Sequence, residues 1–208
     1  MTTVKGVFIC IEGLDGSGKS TQAKLLTKKL CKEGYDTVFT AEPSKGKIGH
    51  FIRKRLFEQE RMGTTVEALL FAADRLEHVQ HTIVPALQVG KIVISDRYVY
   101  SSLAYQGSAG LSLDWIEAIN ANAQKPDLSL FIDVSPEIVL KRLRRKKSVM
   151  ENLQTQRYVQ EIYQNYVKQG LLKRVDGSKG RREVLDELYS VVICYLKKVE
   201  IKKVDEIV

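Results

Sequence analysis

Gly13-Leu14-Asp15-Gly16-Ser17-Gly18-Lys19-Ser20 places two glycines, a lysine and a hydroxyl at a spacing that few folds can use. The pattern, G-x-x-x-x-G-K-[ST], is that of a loop wrapped around phosphate. An apolar run, Val7-Phe8-Ile9-Cys10-Ile11, precedes it and reads as a buried strand. Residues 21–30 follow with apolar side chains at helical spacing. Strand, glycine-rich turn and helix start are the context this chemistry requires. Glycine lets the backbone approach phosphate oxygens, and the helix N-terminus adds aimed N–H groups and a positive dipole end. Gly13, Asp15, Gly16, Ser17, Gly18, Lys19, Ser20 and Thr21 are the candidate ATP-binding set. In it, Lys19 reaches the β- and γ-phosphates and Ser20 holds Mg²⁺.

Further strand-like runs fall at 36–40, 91–95, 128–134 and 171–175. Helix-like stretches lie near 19–33, 46–58, 64–89, 98–106, 112–123, 136–147, 153–169 and 181–200. Near-continuous apolar strands alternating with helices predict a three-layer α/β fold. The expected architecture is a P-loop NTPase fold: a central, mostly parallel five-stranded sheet, helices on both faces and a short lid. Residues 1–208 read as a single domain. Pro85 should kink or divide the 64–89 helix, and Pro136 after Ser135 should open another. In such sheets ligands bind beyond the carboxyl ends of the strands. That rule draws attention to 12–20, 41–43, 96–98, 135 and 176–178.

Composition removes several classes. No apolar stretch approaches the roughly 20 residues of a membrane span, and no leader-like segment opens the chain. Cys10, Cys31 and Cys194 are an odd count without a CxxC pair, which fits a reducing, cytoplasmic location. His50, His78 and His81 suggest no metal cluster. The net charge of +8 admits nucleic acid or polyanionic small molecules as partners. The phosphate loop already accounts for it, so no nucleic-acid partner is expected. A GTP-dependent switch would carry Asn-Lys-x-Asp, which the sequence lacks.

After the third strand comes Asp96-Arg97-Tyr98. An acid ending a buried strand can hold Mg²⁺, and an adjacent arginine can clamp phosphate. Here the sequence resembles the thymidylate kinases, P-loop nucleoside monophosphate kinases acting on dTMP. The resemblance runs through residues 8–22, then Glu42-Pro43, then Phe71-Ala72-Ala73-Asp74-Arg75-Leu76-Glu77-His78. It continues through residues 96–107 and ends with 126–134.

The resemblance implies a role for each matching position. Asp15 faces the acceptor's 3′-hydroxyl and phosphate region. Phe71, which spacing alone reads as core, stacks on thymine. Arg75, one helical turn on and on the same face, hydrogen-bonds the thymine carbonyl. Glu42 and Pro43 line the acceptor side. Arg97 grips the acceptor phosphate and the transferring group, and Asp96 joins Ser20 at Mg²⁺. Ser101 and Ser102 follow, with Ser102 at a base-contacting position. Tyr105 crowds the sugar's 2′ position and so favours deoxyribose, and Gln106 faces the acceptor. A homodimer packed through 64–80 or 98–123 is implied as well.

The sequence also departs from the family. Ala41 stands where many relatives carry arginine before Glu-Pro. Lys45 is the substitute candidate for the acceptor phosphate, with a merely solvated lysine as the alternative. Gly16 occupies the position where one subclass has arginine, so the catalytic arginine should come from a lid at about 141–155. Lys141-Arg142-Leu143-Arg144-Arg145-Lys146-Lys147 begins it with six basic residues in seven. Arg142 is the candidate for stacking on adenine, and Arg144 or Arg145 for the transferring phosphoryl. The stretch after it lacks the Asp-Arg pair common in bacterial relatives. Kinases for another nucleoside monophosphate, or for a deoxynucleoside, are the nearest alternatives.

Overall fold

Val7–Gly13 (β1) is buried at every position, and a strand without a solvent face has to lie inside a sheet covered on both sides. The computed structural model describes residues 6–56, 62–143 and 152–204. In it β1 is central. Thr37–Ala41 (β2), Ile92–Asp96 (β3), Leu128–Asp133 (β4) and Lys173–Asp176 (β5) complete a five-stranded sheet of order β2-β3-β1-β4-β5. Every pairing is parallel, with Ile9 opposite Ile94 on one side and Leu128 on the other.

Side chains of β1 alternate between two apolar layers, as the two-residue period of a strand demands. Val7, Ile9 and Ile11 enter the larger core with Leu26, Leu30, Leu130 and Leu188. Phe8 and Cys10 face a smaller one with Val79, Ile83, Val93 and Tyr98.

Lys19–Lys32 (α1) follows β1 directly. Lys47–Leu56 (α2) and Thr64–His78 (α3) come after β2. A π-helical turn at Val79–Ile83 then separates α3 from Val84–Gln88 (α4). Pro85 divides the expected 64–89 helix there: it has no N–H to donate, and Val84 N–H reaches back to Val79. Val99–Ser108 (α5) follows β3, and Leu113–Ile119 (α6) precedes β4. Pro136–Arg142 (α7), Leu153–Lys168 (α8) and Arg181–Lys198 (α9) complete the layers.

Helix α7 opens as expected, with the Ser135 hydroxyl accepting from Ile138 N–H. It ends sooner than expected, because Leu143 is extended (φ −75°, ψ 106°). The helix expected to reach residue 147 therefore ends at Arg142. Residues 144–151, including both of those arginines, lie outside the described residues.

The sheet fixes where the loops converge, so its centre should be intolerant of cavities. Leu130 is fully buried on β4 beside β1. Leu130→Ala should lower unfolding free energy by about 2–5 kcal/mol, measurable by urea denaturation.

Candidate active site

At the end of β1 the chain turns through the phosphate-loop sequence. Ser17 N–H closes onto the Leu14 carbonyl at 3.0 Å. Gly18 caps α1 in a left-handed conformation (φ 95°) that disfavours any side chain. Lys19 is buried, with Nζ 3.2 Å from the Leu14 carbonyl and 3.0 Å from Asp15 Oδ1. Asp15 also pairs with Arg97. Burial opposes ionisation of Asp15, but Arg97 and Lys19 outweigh it and hold the carboxyl well below the usual range. Burial, and then repulsion from Arg97, lowers the Lys19 ammonium.

Arg97 joins β3 to α5 with a positive φ of 73°. That conformation costs a non-glycine residue about 1–3 kcal/mol unless its surroundings hold it. Here they do: Arg97 N–H donates to the Ile11 carbonyl at 3.0 Å, and its own carbonyl accepts from Ser95 Oγ at 2.8 Å. The guanidinium donates from Nη1 to Ser101 Oγ at 3.0 Å and lies 4.9 Å from the Tyr105 ring centroid. Tyr105 Oη in turn accepts from Asp15 N–H at 2.9 Å. The donor loop, Arg97 and Tyr105 thus form one connected group.

The next residue, Ser102, belongs to a second group. Its Oγ accepts from Arg75 Nη2 at 3.1 Å. Arg75 also donates to Glu42 through Nε (3.0 Å) and Nη2 (2.7 Å), to Asn120 Oδ1 (2.5 Å) and to the Tyr98 carbonyl (3.1 Å). His78 completes the network, with Nδ1 3.2 Å from Glu42 Oε1 and Nε2 2.5 Å from Thr40 Oγ1. Arg75 is 1% exposed. The arginine that the resemblance assigns to the thymine carbonyl is here the hub of a protein network. Phe71, one turn before it, is half-buried and belongs to neither apolar core.

The loop after β2 is braced from two sides. Asp74 accepts from Ser44 N–H (2.7 Å) and Oγ (2.5 Å), while Arg53 donates to the Pro43 (2.6 Å) and Ser44 (2.5 Å) carbonyls. Lys45 next to it is exposed. Gln106 is buried and donates to Glu67 at 3.0 Å.

Ser17 Oγ and Asp96 Oδ1 are among the buried side-chain oxygens of the described residues that have no protein hydrogen bond. Asp96 ends β3 and stabilises the Lys19 charge, so it faces the phosphate loop. Ser20 is exposed on the first turn of α1. A buried carboxylate oxygen and a hydroxyl beside a phosphate cradle are the hard donors that Mg²⁺ takes, its remaining positions being filled by water and phosphate. Arg142 is exposed on the last turn of α7.

Glu12, Arg53, Asp74, His78 and Asn120 were not foreseen as site residues. Four of them are buried polar groups, and what marks them is their tertiary partners, which spacing along the chain does not disclose. Glu12 did carry a local signal, as the charged residue ending an otherwise apolar strand.

An all-parallel sheet, a phosphate loop at the tip of its central strand, and an acid–arginine pair at the tip of the next define a P-loop phosphotransferase of the nucleotide kinase class. The family model for thymidylate kinase matches residues 11–188. The "Probable thymidylate kinase" of Pyrococcus abyssi is 42% identical over 170 residues, 79% of this chain and 83% of the relative. That of Pyrobaculum aerophilum is 41% identical over 187 residues, covering 89% and 95%. The "Thymidylate kinase" of Caldanaerobacter subterraneus is 37% identical over 208 residues, covering 98% and 97%. The chain belongs to the thymidylate kinase family.

The Arg75–Glu42 pair is 1% and 2% exposed, so removing one member strands a buried charge. Arg75→Met should cost about 3–5 kcal/mol of stability. Adding Glu42→Gln to it should return part of that loss, as measured by thermal melts of the single and double variants.

Proposed function

We propose that this chain transfers the γ-phosphoryl group of ATP to dTMP, giving ADP and dTDP for dTTP synthesis, in the cytoplasm. One observation carries the reading. Consecutive serines on α5 belong to the two halves of a site, Ser101 to the Arg97–Asp15–Lys19 group and Ser102 to the Arg75–Glu42 group. A donor phosphate over the loop and a nucleotide base beside Phe71 would then sit against the same helix turn. Among the described residues no helix is long and apolar enough to cross a membrane.

In the reaction, an acceptor phosphate oxygen attacks the γ-phosphorus. The new P–O bond forms as the bond to the β–γ bridging oxygen breaks, and ADP leaves with that electron pair. The attacking oxygen is already anionic near neutral pH, so the chain has to position groups and neutralise charge rather than supply a base. Lys19 and the loop amides hold the donor's β- and γ-phosphates. Arg97 bridges acceptor and transferring phosphates, and Asp15 orients Arg97 and Lys19. Ser20 and Asp96 would hold Mg²⁺, which spreads the phosphate charge when bound. Arg142 stacks on adenine, and Arg144 or Arg145 neutralises the transferring group. Lys45 meets the acceptor phosphate.

Phe71 stacks on thymine, while Glu42 and Pro43 line the acceptor side with Gln106. Arg75 meets the base edge, and its anchorage by Glu42 and Asn120 keeps it from swinging away. Tyr105, fixed by Asp15 N–H and Arg97, leaves no room for a 2′-hydroxyl. Thymine and uracil differ by one methyl, worth only about 10–200-fold.

A coupled ADP-release assay with dTMP, dUMP and UMP tests the reading. dTMP should be used best, dUMP should be a weaker true substrate, and UMP should be rejected more strongly than dUMP. Lys19→Ala should abolish turnover while the protein still melts cooperatively, and EDTA should stop the wild-type reaction. Equal use of UMP and dTMP would remove the role given to Tyr105, and use of another monophosphate in place of dTMP would overturn the substrate.

The same reading includes a homodimer. Val66 and Leu69, three residues apart on α3, are 51% and 47% exposed, and Phe51 on α2 is 45% exposed. Such a patch favours association. Sedimentation should give a mass near twice that of the chain, and Leu69→Glu should shift it toward the monomer.

A further inference from the structure

Glu12 is wholly buried at the end of β1, one residue before the phosphate loop begins. Four donors converge on its carboxylate. Tyr98 N–H (2.8 Å) and Ser101 N–H (3.2 Å) reach Oε1. The Ser101 hydroxyl (2.6 Å) and the Tyr163 hydroxyl (3.0 Å, from α8) reach Oε2. Tyr98, the residue just before α5, makes no side-chain cap, so a glutamate from a distant strand caps this helix.

The cap acts on Arg97 in two ways. It holds the backbone N–H immediately after the positive-φ residue, where strain would otherwise relax. It also orients Ser101. A serine hydroxyl has one hydrogen, and here it goes to Glu12. That leaves the oxygen's lone pairs for Arg97 Nη1.

We propose that Glu12 is a positioning residue for phosphoryl transfer: as a carboxylate, it fixes Arg97 against Asp15 and the phosphates, through Ser101 and the first turn of α5. The proposal rests on the phosphoryl-transfer reading above. Glu12 is enclosed by its own chain, so it acts through Arg97 and not on the nucleotide.

The titratable and charged groups that face Glu12 are Cys10 beside it on β1, Arg97, Tyr98 and Tyr100 at the β3–α5 junction, and Tyr163 on α8. Arg97 is the cation among them. Burial raises the Glu12 carboxyl to about 7, against the opposing effects of the Ser101 hydrogen bond, the Arg97 charge and the Tyr163 hydroxyl. Once protonated, one oxygen must donate instead of accept. Four converging donors can no longer all be satisfied, and the Ser101 hydroxyl loses its fixed orientation toward Arg97.

The test is Glu12→Gln, made alone and in an Arg97→Lys background, with kcat for dTMP followed from pH 6 to 8. A 1 Å misplacement of a catalytic group costs about 10²-fold, so the single variant should lose about that factor in kcat. In the Arg97→Lys background the same change should cost less than about threefold, because the group it positions is gone. The ratio of wild-type to Glu12→Gln activity should also fall about tenfold as pH drops from 8 to 6, following the ionised fraction of Glu12. Substrate ionisation cancels in that ratio. Equal losses in both backgrounds, or a ratio that does not change with pH, would overturn the proposal.

If Glu12→Gln fails to melt cooperatively, Tyr163→Phe decides the matter. Losing a donor to the carboxylate should move the acid limb of kcat to higher pH, and an unmoved limb refutes the link. A wild-type protein inactive with dTMP would instead refute the phosphoryl-transfer reading itself.

Discussion

The bond between Arg97 and Asp15 ties the end of β3 to the loop after β1, and the rest of the site is arranged around it. These two strand ends are neighbours only because β1 and β3 pair in parallel, with Ile11 opposite Asp96. A parallel sheet brings all its carboxyl ends to one edge, so an acid–arginine pair after one strand meets a lysine loop after the next. The cost of crowding Lys19 and Arg97 together is met by Asp15, which sits between them. A phosphate arriving there would find two cations already desolvated and oriented. Electrostatic stabilisation of this kind requires little reorganisation at the moment of reaction.

The Glu42–Arg75 network obeys a different logic. An ion pair this deeply buried gains little net stability over well-packed apolar residues, because both charges lose their water. What it supplies is geometry. Five hydrogen bonds from one planar guanidinium fix β2, α3, α5 and the end of α6 relative to one another. Ser102 is held from this side while Ser101 is held from the other. Any shift of α3 against α5 would break charged, buried hydrogen bonds, which are far dearer than apolar contacts. The Arg75 group and the Arg97 group are therefore kept in register by α5 itself.

Much of the fold was legible because its signals are local. The five apolar runs, the glycine spacing around Lys19 and the prolines at 85 and 136 all act within a few residues. The i, i+4 relation of Phe71 and Arg75 correctly put them on one helix face. It could not say what Arg75 would touch, because Glu42 and Asn120 lie 33 and 45 residues away in sequence. The same holds for Glu12, whose partner Tyr163 is 151 residues distant. The expected helix from 136 to 147 stops early for a local reason instead: Leu143 adopts an extended backbone right after Arg142.

Gly16 connects the phosphate loop to that same residue. It has a positive φ of 87°, and a Cβ there would lie 3.2 Å from Val139 and from Leu143. A side chain at position 16 would meet both conformational strain and the end of α7. An arginine in place of Gly16 would therefore carry backbone strain and press on Val139 and Leu143. Lys19 and Arg97 provide two positive charges, and Asp15 offsets one of them. The donor and acceptor phosphates together carry more negative charge than that remainder. Further positive charge is therefore needed at the loop, and residues 141–147 are the most basic stretch of the sequence.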